Sequence, residues 1–196
     1  KERTRTFKHG ENVDENVMSI LYTIRDNYQI AIDNGIKTIV VDTMTAYCEY
    51  LEVEILNDAV LNHKGTVMLQ IQHYGIIGNR ISEMIRVAKE VGVNLVCIAH
   101  IDDSQENEDG YTVWHPNLSG RKIEAKVPGK FDHVVLLRNT EGEFTAQVKP
   151  STIFPHAKLA MPPTLYKTAP NVVPSLTYKR LRGVIDGKIK KKEAKK

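Results

Sequence analysis

Apolar residues recur at helical spacing through residues 12–33, where Val17, Ile20, Leu21, Ile24, Tyr28, Ala31 and Ile32 form one stripe over about five turns. Asn12 with Glu15 offers a capping box at its start. Asn34-Gly35 supplies a left-handed stop. The pattern then ceases to alternate: Ile39, Val40 and Val41 run straight into Asp42. A short apolar run of this kind predicts a strand over 37–42 buried on both faces, as in parallel sheets covered by helices. Tyr47, Leu51, Ile55, Leu56, Ala59 and Val60 predict a second, less regular helix, broken at 62–65. Residues 66–73 fit either a short strand or a helical connection. A third helix carries Ile77, Ile81, Met84, Ile85, Ala88 and Val91 on one face and ends at Gly92. Residues 94–100, Asn-Leu-Val-Cys-Ile-Ala-His, repeat the doubly buried pattern. Helix, strand, helix, strand in this order predicts right-handed crossovers and an α/β fold with a parallel sheet.

Beyond His100 the pattern changes. Residues 102–110 read as an acidic, polar loop, and 111–115 as a hairpin strand containing Trp114. Pro116 and Gly120 punctuate a loop that ends in Arg121-Lys122. After the Pro128-Gly129 turn, 131–138 predicts one strongly apolar strand, and Glu141-Gly142 turns it into 143–149 as a β-hairpin. From Pro150 onward six prolines limit regular elements, leaving a short helix near 175–181. No internal repeat is visible.

With 196 residues, 41% hydrophobic and 26% charged, the chain suits an ordinary soluble domain with its own core. No apolar run approaches the roughly 20 residues that span a bilayer. The N-terminus lacks the apolar segment of a signal peptide. Cys48 and Cys97 are isolated, which predicts reduced thiols and a cytoplasmic setting rather than a disulfide framework. The net charge of +3 is a local effect: residues 188–196 hold six lysines and one glutamate, so without them the net charge is −2. Such a run reads first as a solvated end and second as a tether for nucleic acid phosphates, through Lys188, Lys190, Lys191 and Lys192.

Two adjacent parallel strands ending in Asp42 and His100 would bring a carboxylate and an imidazole to the sheet edge where open α/β sheets bind ligands. A hard, hydrated Mg²⁺ needs as little as one such carboxylate. Taken singly, Asp42 suits a helix N-cap equally well, and His100 suits a structural histidine. The histidines show no paired metal-ligand spacing, which argues against zinc, and no serine sits in a Gly-x-Ser-x-Gly elbow. Trp114, His115 and Tyr111 could stack a base, but the acidic neighbourhood at 102–109 argues for packing within the hairpin.

The order of Ile39-Val-Val-Asp-Thr-Met-Thr45, residues 94–100, Pro116 with Gly120-Arg-Lys122, and Pro128-Gly-Lys-Phe-Asp-His-Val-Val135 resembles the RecA-like P-loop ATPases of phages and bacteria, notably phage proteins linked to single-strand DNA annealing and recombination. The resemblance covers roughly residues 12–165. It implies a three-layer α/β/α core over 1–165 with a mainly parallel sheet and a C-terminal antiparallel hairpin, followed by a basic extension over 166–196. Asp42 would be the Walker B carboxylate holding Mg²⁺, with Thr43 supporting it, and His100 the sensor of the γ-phosphate. Arg121 and Lys122 would lie near a neighbouring subunit's nucleotide, as an arginine finger does. ATP and Mg²⁺ are the implied cofactors, single-stranded DNA the implied partner, and a homo-oligomeric ring or filament the implied assembly, in the host cytoplasm if phage-encoded.

One part of that pattern is missing. No Gly-x-x-x-x-Gly-Lys-Ser/Thr occurs, and Gly183-Val-Ile-Asp-Gly-Lys188 has the wrong spacing. The P-loop, its strand and the catalytic glutamate would lie upstream of the first helix, so the chain is expected to be the C-terminal portion of a longer one. Removing that strand would leave ladder groups unpaired and apolar faces bare, so either another segment or subunit is expected to fill the gap or the fold to be incomplete there. The competing readings are a hydrolysis-deficient relative that binds DNA or scaffolds an assembly, and a regulatory ATPase with no DNA role.

Overall fold

In a computed structural model of the chain, β1 (Thr38–Asp42) pairs in parallel with β2 (Asn94–Ile98), with Thr38 opposite Asn94 and Asp42 opposite Ile98. The structure describes residues 33–62, 69–106, 110–140, 142–175 and 177–191, with isolated positions between 18 and 29. The capping box at Asn12 and most of the first helical stripe lie outside them. Where described, that stripe is helical: Leu21 is fully buried, and the Tyr22 hydroxyl donates to Glu83 Oε1 at 3.1 Å.

The residues form two compact units, one of 1–101 with 116–127 and the other of 102–115 with 128–196. In the first, α1 (Met44–Asn62) follows β1 after a single residue, and α2 (Ile71–Glu90) precedes β2. Met44, Tyr47, Cys48 and Leu51 are buried at helical spacing, as are Ile77, Ile81, Met84, Ile85 and Ala88 on α2. Both helices pack on the strand pair and on each other. Gly92, at φ +70°, releases the chain from α2 into β2. The 71–73 end of the ambiguous segment belongs to α2, while 63–68 are not among the described residues.

The two strands are not buried on both faces as predicted. Val40, Val96 and Ile98 are 57%, 44% and 43% exposed, whereas Ile39, Val41, Leu95 and Cys97 face inward. Among the described residues β1 and β2 pair only with each other, and helices pack on one side of them. The unbroken apolar run therefore reflects two apolar faces of which one is covered.

In the second unit, β3 (Ile101–Glu106) pairs with β4 (Thr112–Pro116), so most of the predicted acidic loop is strand. Pairing with a neighbour overrides the weak strand preference of Asp-Asp-Ser-Gln-Glu. The single strand predicted over 131–138 is two. β5 (His133–Val134) pairs antiparallel with β8 (Lys158–Leu159), and after Val135 the chain enters β6 (Leu136–Thr140), which pairs antiparallel with β7 (Glu143–Gln147). β7 also takes β9 (Val172–Pro174). The described sheets are thus small, and β1–β2 is the parallel pair among a helix-and-strand mixture of α/β type. α3 (Arg121–Lys126) belongs to the first unit; α4 (Pro163–Thr168) and α5 (Tyr178–Ile185) belong to the second.

Ala146, Val148, Leu159, Ala169, Val173 and Val184 form one core of this unit, and Leu136, Phe154 and Ala157 with Trp114 form another. Each fully buried valine there contributes about 1.5–3 kcal/mol relative to exposure. Trp114 is held in the hairpin rather than offered for stacking: the Arg138 guanidinium lies 4.4 Å from its ring centroid, and its backbone N–H donates to Ile153 O at 2.7 Å. The run from 188, read as a solvated end, is folded back through residue 191. Gly187, at φ +70°, turns the chain so that Lys188 N and Ile189 N both donate to Gly183 O, and Lys191 N donates to Thr168 O at 2.7 Å. Among the described residues no helix is long and apolar enough to cross a membrane.

His156 Nε2 and His115 Nδ1 share a hydrogen bond of 2.9 Å that joins the 151–157 turn to β4. Burial first, and the neighbouring His115 second, lower the His156 pKa below its ordinary 6.5. The unfolded chain therefore takes this proton more readily. The stability it contributes is full above about pH 6.5 and is lost as pH falls through the native value. His156→Asn should flatten the fall in urea midpoint between pH 7 and pH 5, with His133, also lowered mainly by burial, accounting for part of what remains. An unchanged slope in the variant would remove His156 from the acid response.

Candidate active site

The parallel register carries Asp42 and the end of β2 to the same edge of the strand pair. Asp42 is exposed, and among the described residues its carboxylate has no hydrogen-bond or ion-pair partner. The helix cap that it could have formed is made by its neighbour. Thr43 Oγ1 accepts from Ala46 N at 3.1 Å, and Thr43 O accepts from Tyr47 N at 3.0 Å, so Thr43 starts α1 and leaves Asp42 outside it. The Asp42–Thr43 peptide is cis.

His100, two residues beyond β2, is exposed at its side chain and fixed through its backbone. Its N–H donates to Thr45 Oγ1 at 3.0 Å, and its carbonyl accepts from Asn117 N at 2.8 Å. The Thr45 hydroxyl in turn donates to Asn117 O at 3.0 Å. One hydroxyl, 5% exposed, thus satisfies a donor at the end of β2 and an acceptor in the 117–120 loop. Cys48 lies one turn further on the same face of α1, and the Ser119 hydroxyl beside it favours its thiolate against the larger effect of burial. Burial pushes the Cys48 thiol up to about 12, and burial with Cys48 nearby pushes Cys97 up to about 12.

This α1 face leads the loop to Gly120, which packs on the Tyr74 ring: an added Cβ would meet Tyr74 Cδ1 at 3.3 Å. At φ +140° Gly120 opens α3, its carbonyl accepting from Ile123 N and Glu124 N. Arg121 and Lys122 occupy the exposed first positions of α3, rather than a loop, while Ile123 and Glu124 are buried. Asp42, Thr43 and His100 share one edge of the strand pair, and Arg121 and Lys122 belong to the helix tethered to it through Thr45 and Asn117. Lys188, Lys190 and Lys191 belong to the second unit, and Lys192 lies outside the described residues.

The donor set suits part of a metal–triphosphate site. An exposed, unshared carboxylate fits a hard cation that keeps most of its waters. Among the described residues no three His, Cys, Asp or Glu side chains cluster for a metal ion. A cradle of backbone donors with a lysine for the phosphates is a different matter, since its glycine-rich motif is not in these 196 residues.

Sequence reasoning missed Thr45 and Asn117. The available signal was slight: a threonine among the otherwise apolar periodic positions Met44, Tyr47, Cys48 and Leu51. Thr45→Val should cost about 1–3 kcal/mol, because His100 N loses its acceptor and Asn117 O its donor in a buried place. Thr45→Ser, which keeps the hydroxyl, should retain most of that in urea unfolding. Equal losses in the two variants would assign the effect to the methyl instead.

No curated protein and no solved structure matches the chain. A family model described as AAA domain matches residues 7–157, more than three-quarters of its length and all of the site residues in the first unit. The chain belongs to this AAA-type family of P-loop nucleoside triphosphatases.

Proposed function

We propose that this chain supplies the metal-holding and sensing half of an ATP site in a RecA-like, phage-type ATPase that acts on single-stranded DNA in recombination, repair or annealing. The observation that carries the reading is the shared edge of β1 and β2, with exposed Asp42 beside a backbone-fixed His100. Asp42 holds Mg²⁺ largely through water, and the cation, when bound, neutralises charge on the phosphates. Thr43 holds Asp42 at the head of α1. His100 senses the terminal phosphate, its backbone kept in place by Thr45 and Asn117. Arg121 and Lys122 present positive charge from the start of α3 toward a neighbouring subunit's nucleotide in a ring or filament. The three-layer core with a mainly parallel sheet belongs to this reading, with the bare faces of Val40, Val96 and Ile98 as the place where further sheet or helix would pack.

One observation favours a second reading. Because the phosphate-cradling motif is absent from these residues, a hydrolysis-deficient relative that binds DNA or builds an assembly uses the same fold without turnover. Asp42→Ala in the full-length protein separates the two. On the first reading Mg²⁺-dependent ATP turnover falls at least a hundredfold while the urea midpoint and circular dichroism stay at wild-type values. Turnover that survives the substitution removes Asp42 from the site, and a wild-type protein with no turnover selects the second reading.

A further inference from the structure

Between Lys149 and Lys191 the chain carries nine Lys or Arg residues and one acidic residue, Asp186. Several of these cations have structural work. The Arg180 guanidinium donates to Pro174 O at 2.6 Å, Arg182 and Lys188 share Asp186 at 3.0 and 3.6 Å, and Lys158 donates to Gly129 O at 2.9 Å. Lys149, Lys167, Lys190 and Lys191 have no carboxylate partner among the described residues.

Three of these four lie on or against α4. Lys149 Nζ lies 4.9 Å from the centroid of Tyr166 on α4. Lys167 is the next residue of α4, and Thr168 after it accepts the backbone N–H of Lys191 at 2.7 Å. The attachment points are rigid. The buried Gln147 amide donates to Lys149 O at 2.9 Å and to Ser151 Oγ at 2.7 Å, which fixes the turn bearing Lys149. The Gly187 turn and the Ile189 side chain against Gly183 fix the segment bearing Lys191.

We propose that Lys149, Lys167 and Lys191, carried on α4 and on the two segments held against it, form a fixed platform for the phosphate backbone of a single-stranded nucleic acid. The inference rests on the nucleic-acid part of the proposed function and not on ATP turnover. Amines on segments fixed beside one another, with no counter-carboxylate among the described residues, repel one another until an anion lies among them. Consistent with this, burial first and the neighbouring Lys191 second lower the Lys149 pKa from its ordinary value. A polyanion with regularly spaced charges engages several such amines at once and releases its counterions. The unit also offers an aromatic surface: Tyr178 at the start of α5 is 81% exposed. A ring open to stacking is of use to a single strand whose bases are accessible, and of little use to a paired duplex. The tether reading of the lysine run differs in kind, because it needs only the charge of Lys188, Lys190, Lys191 and Lys192 and no folded partner such as Lys149 or α4.

The test is fluorescence anisotropy of a labelled oligothymidylate with the full-length protein across salt concentrations. Removing one phosphate-neutralising amine lowers the log–log salt slope by about 0.7. The Lys149→Gln/Lys191→Gln pair should therefore flatten the slope by about 1.4 and weaken binding at low salt about tenfold. The Lys149→Arg/Lys191→Arg pair, which keeps both charges, should bind like wild type and serves as the control for folding. Removal of residues 192–196 should leave most of the slope in place. A wild-type protein that does not bind the oligonucleotide overturns the nucleic-acid reading and the platform together. Binding that is unaffected in the glutamine pair but abolished by removing 192–196 overturns the platform alone. Displacement of the oligonucleotide by polyglutamate at equal charge concentration overturns the assignment to nucleic acid.

Discussion

The parallel pairing of β1 with β2 organises the first unit, and its register fixes what the edge can do. With Asp42 opposite Ile98, the chain leaves both strands at the same end. A slip of one residue would turn Val41 outward and Val40 inward, and would move the carboxylate to the helix-covered face. Two strands give little ladder stability alone, so the pair depends on the helices packed against its inner face and on the buried Thr45 hydroxyl. That hydroxyl is the cross-brace: it ties the first turn of α1 to the end of β2 and to the loop that leads into α3.

The elements whose apolar residues face one covered side were legible in the sequence. α2 shows its stripe from Ile77 to Val91 because one face of it is buried. The hairpin of β6 and β7 announced itself through its turn, and Gly142 takes the positive φ that such a turn needs. What could not be read depends on distant partners. The acidic stretch after His100 is strand only because β4 lies beside it. The apolar run 131–138 divides because its halves find different neighbours, β8 and β7. The unbroken apolar character of β1 and β2 marked two apolar faces, and sequence does not say how many of them a given chain covers.

The candidate site was legible to a similar degree. A carboxylate after three β-branched residues and a histidine after a second such run gave Asp42 and His100. The roles of Thr43 and Thr45 could not be separated by type, since both are threonines within one short segment. Geometry divides them: one caps a helix, which keeps Asp42 available, and the other braces a loop. The basic run was visible as composition, yet its first four residues are part of the folded surface. Their meaning changes accordingly, from charge on an end to charge on a segment fixed against Gly183 and the end of α4.

The two cysteines carry a practical consequence. Both thiols are held up to about 12 by burial. At neutral pH both thiols therefore stay protonated, and maleimides and iodoacetamides react with the thiolate. The native cysteines can accordingly be kept when a reporter dye is attached. A single cysteine introduced at an exposed position of α5 would then be the group that takes the label.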